Sequence, residues 1–181
     1  MRKILYVFVL VCCAMCALPA FAADRALVDA DGNEMAFKES SQPGFFRYDN
    51  DNDAGAFAAD IPACFTKLVS VETDNRGEEI VLSDAEGVAQ FRMMSTRPQG
   101  ELTIAQYYKA EREALKVKPA YEKLGKDFFV LSWLQDGVIH YQKAVIIGDC
   151  LGEMEISYPS ERKKEFDPLV THSAKSLKFK L

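Results

Sequence analysis

The sequence predicts an α+β fold, an antiparallel β-sheet of about six to eight strands packed between helices. Three observations lead there. Residues 45–95 read as a meander of short alternating strands, Asp136-Gly137 divides two β-rich runs, and the stretches after Thr103 and Asp167 carry apolar residues at helical spacing.

The chain has 181 residues, of which the first 22 are set apart. Arg2 and Lys3 precede an apolar run from Ile4 to Leu18, and Ala20-Phe21-Ala22 is an A-x-A cleavage signal. This is the pattern of a secretory signal peptide, cut between Ala22 and Ala23. Fifteen helical residues rise only about 22 Å, short of the roughly 30 Å of a hydrocarbon core, which disfavours a lasting anchor. The expected location is therefore periplasmic or secreted, with no stable membrane insertion after cleavage. The remaining 159 residues keep 20 of the 22 basic side chains against all 27 acidic ones, a balance of −7. Nucleic acid and anionic lipid both reward clustered Lys and Arg, so neither is the expected partner. A chain of about 160 residues buries roughly 68–70% of its unfolded surface, enough for one core, so residues 45–181 are read as a single domain.

Residues 23–44 are polar and weakly patterned around the Asp31-Gly32-Asn33 turn, an arm or short hairpin. Phe45 to Tyr48 and Ala56 to Ile61 form a first hairpin, the second strand stopped by Pro62. Phe65 to Glu72, Glu79 to Ser83 and Val88 to Ser95 follow as strands, divided by Asp74-Asn75-Arg76-Gly77 and Asp84-Ala85-Glu86-Gly87. Thr103 with Gln106 three residues on is a capping box, and Ile104, Tyr107, Tyr108, Ala114 and Leu115 supply the apolar stripe of a helix of about four turns, closed by Pro119.

Asp136-Gly137 asks for a two-residue type I′ turn, which fixes a register of Gln135 with Val138, Trp133 with His140, Leu131 with Gln142 and Phe129 with Ala144. Both faces of this hairpin are largely apolar, so it should lie centrally in a sheet covered on both sides. Glu153 to Tyr158 alternates strictly and predicts one wet face. Asp167-Pro168 reads as an N-cap followed by proline at the first position of a second helix over Leu169 to Leu177.

This order of elements resembles the PsbP-like superfamily, which includes the extrinsic photosystem subunit, the Ran-binding nuclear import factor and small bacterial envelope proteins. The matching features are Phe57 through Ile61-Pro62, the meander to Ser95, the helix Thr103–Lys118, the Gly125-containing lead into the hairpin, and the closing Ser176-Leu177-Lys178-Phe179. They extend over residues 45–179, about three quarters of the chain. The resemblance implies an antiparallel sheet between helices and a non-enzymatic accessory or binding module. It carries over no functional residue, because no ligand or partner motif here matches one in those relatives.

Few constellations offer chemistry. Three of five cysteines lie in the signal segment, leaving Cys64 and Cys150, an even number in an oxidising compartment and hence a candidate disulfide. Such a bond would close a loop of some 86 residues and stabilise the fold by about 4–5 kcal/mol in the chain-entropy model. The competing reading is two buried thiols acting as small hydrophobes. Asp49, Asp51 and Asp53 with Asp60 at the twelfth place suggest a calcium loop, although Ala54 stands where an EF-hand requires glycine and Asp60 where it requires glutamate. The alternative is a polar hairpin tip satisfying its own backbone. His140 should pack on Trp133, and His172 with Ser173 is no dyad, since adjacent helical side chains diverge. No catalytic residue and no cofactor are expected. The chain is read as a non-enzymatic envelope protein acting by contact with an unidentified envelope protein, the alternative being a small-ligand or calcium-binding protein using the Asp49–Asp53 loop or a cleft beneath the first helix.

Overall fold

The computed structural model describes residues 25–49 and 57–179. The cleavage site at Ala22 and Ala23, together with Asp51 and Asp53, lies outside the described residues. The strands form two antiparallel sheets. The first has β1 (Arg25–Val28), β2 (Glu34–Glu39), β3 (Phe45–Asp49), β4 (Phe57–Pro62) and the two-residue β12 (Lys178–Phe179), in that order. The second runs β5 (Phe65–Asp74), β6 (Gly77–Asp84), β7 (Gln90–Thr96), β11 (Cys150–Pro159), β10 (Val138–Ile147), β9 (Phe128–Gln135), β8 (Tyr121–Leu124). Of the two readings of residues 23–44, arm or short hairpin, the structure has the hairpin, turning at Gly32, whose φ of 87° suits glycine, and β2 pairs with β3 to extend the first sheet.

One crossover fixes the architecture. After β7 the chain passes through α1 (Ile104–Ala114) to the far edge at β8, then returns inward through β9 and β10 until β11 pairs with β7. The seven-stranded sheet therefore has α1 on one face. On the other face lie α2 (Lys163–Ser176) and the five-stranded sheet. Two cores result. Phe57, Ile61, Phe65, Ile80, Phe91, Met154 and Phe166 belong to the larger, while Ile104, Phe129, Leu131, Trp133 and Leu151 form the smaller beneath α1. This explains the hairpin with two apolar faces: Phe129 and Leu131 serve one core, while Ile139, Tyr141 and Val145 pack on the other. Its register follows the expected pairs, from Gln135↔Val138 through Trp133↔His140 to Phe129↔Ala144. Asp136 and Gly137 have φ of 50° and 81°, as a type I′ turn requires.

Three elements depart from the sequence reading. The capping box at Thr103 is present, its side chain accepting from Gln106 N–H, but α1 stops at Ala114 and Leu115 is extended. Leu115 and Val117 pack into the smaller core instead, and Lys118 precedes Pro119, which disfavours helical backbone there. The second helix begins earlier, after a 3-10 turn over Ser160–Arg162, with Pro168 inside it. Phe166, fully buried against Phe65 and stacked on Tyr158, anchors this early turn, and Arg162–Glu165 and Lys163–Asp167 pairs span it. The edge strand β8 was not anticipated; all four residues are exposed, so it lacks the apolar alternation that marks a strand.

The expected Cys64–Cys150 disulfide is not formed; both cysteines are free. Cys64 precedes Phe65, whose partner is Asp84, whereas Cys150 precedes Leu151, which pairs with Thr96 and through it with Gly77. The thiols thus sit at opposite ends of the seven-stranded sheet, separated by the length of β6, about 25 Å for eight residues at strand rise. No disulfide spans that distance.

Candidate functional site

The helix-facing surface of the seven-stranded sheet carries a polar row across four strands: Glu79 of β6, Arg92 of β7, Glu153 and Glu155 of β11, and His140 and Gln142 of β10. Strand alternation puts them on one face, and register puts Arg92 opposite Glu155 and Glu155 opposite Gln142. Arg92 donates to Glu79 Oε1 at 2.8 Å and Oε2 at 3.0 Å, and to Glu153 Oε1 at 2.9 Å. The Tyr107 hydroxyl reaches down from α1 to Glu153 Oε2. Gln142 donates to Glu111 of the same helix at 3.1 Å.

The strand face expected to be wet is therefore partly covered. Glu153 is 1% exposed. Burial pushes its carboxyl above the ordinary glutamate range, opposed by the Tyr107 hydroxyl and Arg92. Burial, then the Glu153 charge, pushes Tyr107 up, and the hydrogen bonds to Glu79 raise Arg92 further. Each group of this buried set has its partner, which makes it a knot holding α1 to the sheet. General acid or base work requires reach to a substrate proton, and both Glu153 oxygens are already engaged. Sequence reasoning missed this role for Glu153, but a signal existed. Tyr107 and Tyr108 stand in the apolar stripe of α1, and a buried tyrosine hydroxyl needs a partner. Tyr108 finds one in Glu122 at 3.0 Å, itself bound by Arg112.

The row opens at its hairpin end. His140 stacks on Trp133, ring centroids 4.8 Å apart and planes within 3°, as the register implies, and its Nδ1 lies 3.0 Å from Glu155 Oε1. Both His140 and Glu155 side chains are a quarter exposed. With the end of α1 at Ala114, Leu115 and Lys116, they line a recess of about 390 Å³ that also meets Gln135, Asp136 and Val138. The cleft expected beneath the first helix is not where this recess lies: the space beneath α1 is filled by Phe129 and Leu131, and the recess sits past the helix's C-terminal end.

The acidic candidates lie elsewhere. Asp60 Oδ1 accepts from Arg47 at 3.0 Å, its Oδ2 is 2.8 Å from His172 Nε2, and Asp49 meets Lys38 at 3.1 Å and Arg47 at 3.4 Å. Both Asp60 oxygens have cationic or imidazole partners, and the His172 contact ties α2 to the first sheet. Among the described residues no cluster of three or more His, Cys, Asp or Glu could hold a metal ion. His172 turns to Asp60 and the Phe45 ring, away from any pairing with Ser173.

No family model matches the sequence, and no curated protein is similar to it. Among solved structures, the solution structure of cyanobacterial PsbP (CyanoP) from Synechocystis sp. PCC 6803 is similar to this chain with a TM-score of 0.55 and 13% identity, covering 77% of this chain and 95% of that one. At that identity the likeness speaks to architecture alone, and it agrees with the sheet and helix order described above: the chain has a PsbP-like α+β fold.

Proposed function

We propose that this chain is an exported, non-enzymatic accessory protein that acts by contact with another protein of the cell envelope. The observation carrying this reading is the contrast within the polar row. Its buried part is locked between α1 and the sheet, while its open end is a side-chain-sized recess on a rigid scaffold, suited to holding part of a partner. The basic start, apolar run and A-x-A signal of residues 1–22 support export. The acidic balance of the remainder supports a protein rather than a nucleic-acid partner.

Crosslinking in intact cells followed by affinity capture from the envelope fraction tests the reading. One partner should be recovered repeatedly with a chain beginning at Ala23, and repeated recovery of none counts against it. The same recess supports a second reading, a small-ligand carrier. A thermal-shift screen with metabolites and with calcium separates the two, since a ligand of the native state raises Tm by mass action.

A further inference from the structure

We infer that the recess at the end of α1 is the seat for an arginine side chain presented by the partner protein, a deepening that rests on the contact reading above. The recess is rich in acceptors. His140 turns Nδ1 to Glu155 Oε1 at 3.0 Å, and its Nε2 has no partner among the described residues. Glu155 and Asp136 bring two carboxylates, and Gln135 an amide oxygen. The helix adds to this. Both helices end on an extended residue, Leu115 and Leu177, but only Leu177 bonds back, its N–H to the Ser173 carbonyl; the end of α1 has no such cap bond among the described residues, and its last carbonyls present the negative end of the helix dipole.

A guanidinium has five donors, no acceptor and a flat face. It matches acceptors grouped beside the Trp133–His140 stack, against which a planar cation is also attracted. Two positive charges oppose it: Arg92, across the register from Glu155 but held by Glu79 and Glu153, and Lys116, which is exposed one residue beyond the helix cap and free to turn its ammonium into water. An anionic guest would meet two carboxylates and a helix C-terminus, so the sign of the guest's charge is what the recess selects.

The chain's single tryptophan is Trp133, so indole fluorescence reports on this recess alone. Titration with N-acetyl-arginine methylamide at constant ionic strength should give a saturable change in the millimolar range. The isosteric citrulline compound should bind about tenfold more weakly, as loss of a charge-assisted contact implies. Glu155→Gln, with circular dichroism confirming its fold, should lose a similar factor for arginine and little for citrulline. Equal response to both probes, or no saturation with arginine, overturns the inference on the unaltered chain. Capture in cells distinguishes the two levels. A partner retained equally by wild type and Glu155→Gln removes this seat and leaves the contact reading standing, whereas a partner recovered by neither removes the contact reading itself.

Discussion

Tyr107 shows how one hydroxyl settles the fate of a buried charge. Glu153 lies under α1 with Arg92 on one oxygen and Tyr107 on the other. Tyr107→Phe keeps the ring against Phe129 but removes the donor, leaving a buried carboxylate oxygen short of its partner. The expected cost is about 1–3 kcal/mol in urea unfolding, with little change in slope. Asp60 obeys the opposite sign. Burial raises its carboxyl, but hydrogen bonds from His172 and Arg47 outweigh that and hold it below its ordinary 3.8. A lowered folded value means that the ionised group contributes stability above 3.8 and loses it as pH falls through the folded value. Asp60→Asn should therefore cost about 1–3 kcal/mol at neutral pH, and the gap from wild type should close as urea titrations are carried stepwise below 3.8. A gap independent of pH would contradict the pairing. Glu153, shifted upward, works in reverse: burial disfavours its charge, and its contribution falls as pH rises above the ordinary 4.5 of glutamate.

Among elements, β11 contributes to both cores, and at Gly152 it takes the Phe57 ring of the first sheet directly against its backbone. A Cβ there would lie 2.4 Å from two carbons of the fully buried Phe57 ring. Gly152→Ala should cost about 1–3 kcal/mol as overpacking, seen as a lower midpoint in thermal or urea unfolding. The same change at the open Gly87 turn meets no atom within 4 Å and is opposed only by its φ of 76°. The strand itself was legible, because Glu153 to Tyr158 alternates; what covers its acidic side was not. Covering depends on the crossover that lays α1 over β11, and no residue of β11 encodes that path. The hairpin about Asp136-Gly137 was legible to the residue, since a two-residue turn dictates every pair. Local signals failed where tertiary anchors won. Phe166 draws the start of α2 upstream to Lys163, ahead of the proline that marked it, and Leu115 ends α1 by entering the core.

At the scale of the whole molecule, the α+β class followed from the order of elements, but a second sheet did not. Nothing in their pattern separates the strands of residues 25–62 from the later meander, yet they form a sheet of their own with β12, while β5 through β11 share the other. The Trp133–His140 contact was readable from register, while the recess beside it depends on where α1 ends. The cysteines expose the same limit, since counting them cannot say how far apart the fold holds them. Cys64 adjoins Asp84, Arg162 and Glu165 at one end of the seven-stranded sheet, and Cys150 adjoins Arg97 and Asp149 at the other. Burial pushes both thiols above their ordinary value, which lowers the thiolate fraction and slows attack on any electrophile. Cys150 is only 3% exposed, so native protein treated with iodoacetamide should label Cys64 first and Cys150 slowly. In denaturant without reductant both should label fully, as peptide masses will show. A peptide pair linked through Cys64 and Cys150 would require the two ends of the sheet to meet, and would overturn the packing of β5 and β11 described here. Stability then rests on two cores sharing one sheet, and the chain should refold from urea in reducing buffer as completely as in its absence.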